Sequence, residues 1–176
     1  MRTFSHALIN ASLGTASKLK RTDIIAVACG AVLPDMPLLL LSSITMLLSP
    51  SWDIGMARVH ESYATNPWWI ALHNLPHSLV VLTLLSVTSY LVIQRVWGRY
   101  IFLASISALM HTFIDIFTHA TDGPYIFFPV NMWRFESPVS YWNSTYYGTA
   151  FTVFEISLDI ALAIYLLFKI RHATPT

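Results

Sequence analysis

Four stretches of the chain are apolar at most positions, and each comes close to the roughly 20 residues that a helix needs to cross about 30 Å of hydrocarbon at about 1.5 Å per residue. They run over residues 24–48, 72–94, 100–117 and 148–168. The first is interrupted by Pro34, Asp35 and Pro37, and the second has His73 and His77 near its start. The fourth is apolar apart from Glu155 and Asp159, and its end is marked by Lys169 and Arg171. Ahead of them, residues 4–19 carry Phe4, Ala7, Leu8, Ala11 and Leu19 among polar neighbours, too short and polar a segment to span by itself. It reads as an amphipathic or partly inserted helix. The pattern predicts an all-α fold, a polytopic membrane helical bundle of about four transmembrane helices plus that N-terminal helix. One integral-membrane domain covers residues 1–176.

Composition points the same way, because a chain that is 55% hydrophobic and 11% charged has too few charged side chains to coat a water-soluble globule. Ten Lys+Arg against nine Asp+Glu leave a formal charge of +1, so no basic field exists to hold nucleic acid. A single cysteine, Cys29, excludes an internal disulfide and any CxxC site. Residues 1–21 lack the apolar core of a secretory signal, and the run 24–28 ahead of Cys29 is too short for lipoprotein processing.

Seven of the ten basic residues fall into three groups: Lys18, Lys20 and Arg21; Arg95 and Arg99; Lys169 and Arg171. All three lie on one side of a four-span bundle, and the positive-inside rule makes that side cytoplasmic. The expected location is the cytoplasmic (inner) membrane, multi-pass, with both terminal basic flanks cytoplasmic. The connections 49–71 and 118–147, where Arg58 and Arg134 are the only Lys or Arg, then face outward. Trp52, Trp68, Trp69, Trp133 and Trp142 sit in these connections, a composition suited to lying on the bilayer.

Ionisable side chains inside a span are costly and usually face a partner, a cavity or a metal. Here each span carries at least one: Asp35 in the first, His73 and His77 in the second, His111 and Asp115 in the third with His119 following, Glu155 and Asp159 in the fourth. His73/His77, His111/Asp115/His119 and Glu155/Asp159 are spaced by four, so each set shares a helix face. Histidine nitrogen and carboxylate oxygen are ligands that zinc or manganese takes in catalytic sites with an open position. A transport site can use the same residues, and His111 with Asp115 can equally form an intrahelical hydrogen-bonded pair. Glu155 and Asp159 can pair with outer-loop partners, and the aromatic residues of 125–147 read as interface packing. His60 and His172 read as interfacial residues outside the site.

Ser5-His6-Ala7-Leu8, Gly30-Ala31-Val32-Leu33-Pro34-Asp35, Pro76-His77-Ser78-Leu79 and His111-Thr112-Phe113-Ile114-Asp115 follow one another in this order. In these motifs the chain resembles the membrane-bound metal-dependent hydrolases, a family of inner-membrane hydrolases similar to the zinc-dependent phospholipase C and single-strand nuclease superfamily. The resemblance covers residues 4 to about 130. A later run, from Asp122-Gly123-Pro124 through Arg134-Phe135 to Tyr141-Trp142, is similar to one subgroup. The resemblance implies that His6 is the N-terminal ligand histidine, Asp35 an aspartate that bridges metals, His77 the histidine of the third motif, and His111 and Asp115 an HxxxD pair. His73 is implied as a ligand or as a donor to one. The soluble phospholipases add a free amino terminus and a later HxxxE pair, whereas here Met1 lies five residues before His6 and no HxxxE follows. His119, Asp122 and Glu155 are, by position, a substitute set.

These features together lead to the expectation of a membrane-embedded metal-dependent hydrolase, phospholipase C-like, cleaving a lipid or lipid-linked phosphoester with a His/Asp-bound di-metal centre. Asp35, His77 and Asp115 would carry the chemistry, and Arg134 would orient the phosphate. The expected cofactor is a divalent metal, zinc or manganese; the expected partners are membrane lipid, the phosphoester and a second copy of this small bundle, with no nucleic acid. The alternatives are a metal-binding or transport protein without hydrolytic activity, and a bundle whose polar residues glue its helices together. The helix reading also poses a problem of depth. Twelve residues from His6 to Lys18 give about 18 Å of helix, which reaches mid-bilayer from the cytoplasmic face and no further.

Overall fold

The computed structural model describes residues 1–172, and among them every regular element is helical. The helices are α1 (Thr3–Ala16), α2 (Arg21–Val32), α3 (Met36–Leu47), α4 (Trp52–Thr65), α5 (Pro67–Asn74), α6 (Leu79–Leu91), α7 (Val96–Thr118) and α8 (Gly148–Arg171), with a 3₁₀ turn at Ser144–Tyr146. Among the described residues, only α7 and α8 are each long and apolar enough to cross a membrane alone. The pairs α2 + α3 and α5 + α6 pass that test together but bend by 55° and 48°, so the described residues offer two spans, or up to four if each bent pair is one.

Both bends have a covalent cause. Proline has no N–H and clashes with the preceding turn, so Pro34 ends α2 and Pro76 ends α5. Pro37 is tolerated in the first turn of α3, and the Ser78 hydroxyl restarts α6 by accepting from Val81 N at 3.2 Å. The second apolar stretch is therefore not the continuous helix over 72–94 that its hydropathy suggests. It begins at Pro67, where the Asn66 side chain caps α5 by accepting from Trp68 N at 2.9 Å, and it breaks around His77. The connection 49–71 is likewise no surface loop but α4 and the start of α5, packed on α3. Trp52 and Trp68 project outward, while Trp69 is buried.

The interior is polar and the exterior apolar. Buried positions include Ser5, His6, Asn10, Ser86, Ser105, Ser107, His111, Thr112 and Glu155, whereas Leu47 is 84% exposed and Leu91 77%. That inversion is what lipid selects: hydrocarbon offers no hydrophobic drive between helices, so small and polar residues make the contacts. Ser86 donates to Ser105 at 2.9 Å between α6 and α7, and Ser107 donates to the Val27 carbonyl at 2.6 Å between α7 and α2. At Gly30 the backbones come so close that a β-carbon would lie 2.2 Å from the Ala104 carbonyl oxygen. Arg99 forms a two-pronged ion pair with Asp23 at 2.6 and 3.0 Å, tying the starts of α2 and α7 to one end of the bundle. The fold class expected from the sequence, a helical membrane protein, is the one formed.

α1 obeys the same rule. Its inward face carries Ser5, His6, Asn10, Ser12 and Gly14, and Phe4 points out. It runs antiparallel to α2 and also packs on α8, so it is inserted in the bundle and brings His6 beside Asp115 near the far end of α7. Residues 119–143 contain no regular element, yet they fold back over that end. Ser137 N donates to the His119 carbonyl, Tyr141 N to the Thr118 carbonyl and Leu79 N to the Ile126 carbonyl.

Candidate metal centre

His111 and Asp115 lie one turn apart on the buried face of α7, as their spacing requires. The two helix breaks deliver the remaining members. Asp35 sits in the turn after Pro34 and His77 in the turn after Pro76, and one ligand atom from each of the four residues falls within 4.8 Å of all the others. His77 Nε2 is 3.4 Å from Asp35 Oδ1 and 3.8 Å from Asp115 Oδ2, while His111 Nε2 is 3.5 Å and 3.0 Å from the same two oxygens. Ligand atoms about 2.0–2.1 Å from a tetrahedral zinc would lie about 3.3 Å apart. The spacing fits such an ion.

Each of the four residues is anchored through one atom and leaves the other free. His111 Nδ1 donates to the Ala31 carbonyl at 2.7 Å, and His77 Nδ1 donates to the His73 carbonyl at 2.7 Å. Carbonyls only accept, so both rings carry a proton on Nδ1 and turn Nε2 inward. Ala31 is available because Asp35 N bonds the Val32 carbonyl at 3.2 Å instead of its α-helical partner. Asp35 Oδ2 accepts from Thr3 Oγ1 at 2.5 Å. Asp115 Oδ1 accepts from His6 Nε2 and from the Met1 nitrogen, both at 2.9 Å. Buried and without hydrogen-bond partners, His77 Nε2 and His111 Nε2 face Asp35 Oδ1 and Asp115 Oδ2. A divalent cation held between these atoms would give each of them a partner.

The other sequence candidates take up separate positions. His6 is outside the four-donor group, stacked on His111 at 3.7 Å between ring centroids and donating to Asp115. His119 Nε2 lies 3.7 Å from Asp115 Oδ1, and its Nδ1 lies 3.4 Å from Asp122 Oδ2. Burial alone would raise Asp122, but the His119 ring and the Trp142 Nε1–H, which donates to it at 2.7 Å, bring its pKa down to about 2. Burial, reinforced by the charges of Asp122, Asp115 and Asp35, pushes Tyr141 up to about 12, so its hydroxyl keeps its proton.

Two candidates lie away from the group. Glu155 is fully buried on α8, where it accepts from Arg2 N at 2.7 Å, from the Arg2 guanidinium and from Ser5 Oγ at 2.9 Å. Ser5 Oγ also approaches Asp159 Oδ2 at 2.9 Å. These carboxylates hold α1 on α8 rather than an outer loop, and neither belongs to the four-donor group. Arg134 lies over the Tyr125 ring, 5.6 Å from its centroid.

A cavity of about 430 Å³ opens onto the group. Asp35, His73, Asp115, His119 and Asp122 supply polar lining, and Leu38, Leu39 and Val59 an apolar wall. Arg134 is not among its lining residues; the guanidinium there is that of Arg2. His60, which the sequence assigns to an interface, lines it as well, as do Tyr63 and Met1. No spacing motif marks Arg2 or His60. Only the fold brings α1 and α4 to this opening.

Fold and interior together define a helical membrane protein with a buried His/Asp group able to hold a metal ion. The chain belongs to the family described as YdjM inner membrane protein, whose model matches residues 1–173. No curated protein and no solved structure matches it.

Proposed function

We propose that this chain is a membrane-embedded metal-dependent hydrolase that cleaves the phosphoester of a lipid or lipid-linked substrate. One observation carries the reading: Asp35, His77, His111 and Asp115 each have one atom anchored by the protein and one atom turned toward the other three. Two carboxylates and two imidazoles suit a divalent cation, and the mixed N/O set suits zinc or manganese. Such a cation supplies Lewis acidity toward a substrate oxygen and toward water. The chain's own residues do the rest. His6 and Thr3 hold the carboxylates in orientation, His119 lies between Asp115 and Asp122 where a proton can pass, and Tyr141 keeps a hydroxyl available as donor.

The phosphoester class is implied by the resemblance to membrane-bound metal-dependent hydrolases, while family membership supports the membrane location. The group lies toward the end of α7 remote from Arg95 and Arg99, so positive-inside orientation turns it toward the outer leaflet. A second reading, metal transport, draws on the two broken helix pairs that meet at the group, since discontinuous spans line the ion sites of transporters.

Elemental analysis of the detergent-purified protein beside Asp115→Ala and His111→Ala tests the metal. Near-stoichiometric zinc or manganese in the parent and its loss from both variants are expected. Absence from all three after supplementation sinks the reading. Product release from phospholipid or phosphodiester substrates by the loaded parent then marks a hydrolase, and metal flux into liposomes without product marks a transporter.

A further inference from the structure

We infer that His73 and Arg2 form an oxyanion subsite in this cavity, beside the four-donor group, for the anionic oxygen of an amphiphilic ligand. The inference rests on the reading of the cavity as the place where a substrate meets a bound metal. Its main observation is His73. The residue is 6% exposed and lines the cavity, yet neither of its ring nitrogens has a partner. Buried polar groups are nearly always paired, so an imidazole unpaired at both ends marks a position where something else belongs.

The four-donor group is complete without that ring, for it is the His73 carbonyl that serves His77. The rings of His77 and Tyr63 approach at 4.6 and 5.2 Å between centroids, and the Tyr63 hydroxyl is committed to the Asp122 carbonyl at 3.0 Å. A neutral imidazole has one N–H to give. Asp35 and Asp115 beside it only accept, so His73 would offer a ligand oxygen drawn to the metal a donor in addition to the Tyr141 hydroxyl.

Arg2 supplies the charge. It is the only Lys or Arg lining the cavity, and its side chain is 44% exposed. Glu155 holds one nitrogen of its fork and Thr152 approaches another at 3.4 Å, which fixes the guanidinium while leaving N–H bonds unused. The same cavity has the apolar wall of Leu38, Leu39 and Val59, and Leu39 is also 44% exposed on the outer surface. Donors and hydrocarbon lining one cavity describe a ligand with an oxyanion head and an apolar tail.

The test reads binding rather than turnover. The full chain in detergent is loaded with zinc, its zinc content is measured, and inorganic phosphate is titrated by equilibrium dialysis. His73→Phe and Arg2→Gln are run alongside; the former keeps the ring and the carbonyl and removes both nitrogens. Equal zinc in all three proteins is expected, with phosphate affinity weakened about ten- to a hundredfold in each variant. Parental affinity in the variants overturns the subsite, as does loss of zinc from His73→Phe, which would make the ring a ligand. Should Arg2→Gln loosen α1, Arg2→Lys decides, since it keeps the charge without the fork: weaker binding supports the assignment and parental binding overturns it.

A parent that holds no zinc overturns the metal reading alone. The same titration without metal then judges the subsite: binding that vanishes in His73→Phe upholds it, and equal or absent binding overturns it. Repeating the titration in phosphatidylcholine vesicles containing phosphatidic acid separates two sources of the same chemistry. Displacement of phosphate by the lipid assigns the subsite to a headgroup, and no displacement assigns it to a soluble oxyanion.

Discussion

His111 Nδ1 donates to the Ala31 carbonyl across 2.7 Å, so the end of α2 sets the orientation of a ring on α7. The bond holds only while α2 and α7 stay in close contact, and at Gly30 that contact leaves no room for a β-carbon. Gly30→Val is expected to push the helices apart, cost about 1–3 kcal/mol as an overpacked contact and lower zinc content together with stability. Gly14→Ala is the control, because its β-carbon would meet Ile24 at an ordinary 3.4 Å. Thermal unfolding in detergent and metal analysis of both variants check this; a Gly30→Val protein with parental zinc and stability would rule it out.

Pro76→Ala restores an N–H in the break before His77 and favours a continuous helix through it. The His73 carbonyl then competes for a backbone partner, and His77 loses its anchor. Zinc affinity is expected to fall about 10- to 100-fold, the range for lost ligand-orienting bonds, with little change in thermal stability. Competition with a zinc chelator measures it, and an unchanged constant would show that the break does not position the ring.

Glu155→Gln separates two roles for that carboxylate. As the clamp of Arg2 and Ser5, it should cost about 1–3 kcal/mol when removed, allowing for the exposure of Arg2, and leave zinc stoichiometry intact. Loss of zinc at parental stability would instead make it a ligand.

Asp122 has a folded-state pKa of about 2, below the about 3.9 of an unfolded chain. A depressed carboxylate stabilises the fold fully above about pH 4, and that contribution is lost as pH falls toward about 2. The segment that Asp122 closes with Trp142 should loosen across this window. Trp142 emission, taken as parent minus Trp142→Phe, should shift between those values. In Asp122→Asn the shift should already be present at neutral pH, and a pH-independent parent signal would count against the pair.

Much of this was legible in the sequence. Helical period places His111 and Asp115 together, and Pro34 beside Asp35 announces the first break. The second break was harder to see, since the hydropathy of residues 72–94 barely registers Pro76. α1 was ambiguous for a different reason: a polar stripe faces water on a surface helix and protein on a membrane-inserted one, and composition alone does not choose. The partner of Glu155 and the cation of the cavity depend on contacts between residues more than 100 positions apart. Nothing local distinguishes Arg2 from Arg134 in that respect.

The grip of α8 on α1 also orders events during synthesis. Residues 35, 77, 111 and 115 have all been made once α7 is complete, but the carboxylates that hold Arg2 and Ser5 belong to α8, which is made after it. Until then the helix that carries His6 lacks the clamp of Glu155 and Asp159. Insertion of α8 is the step that supplies it.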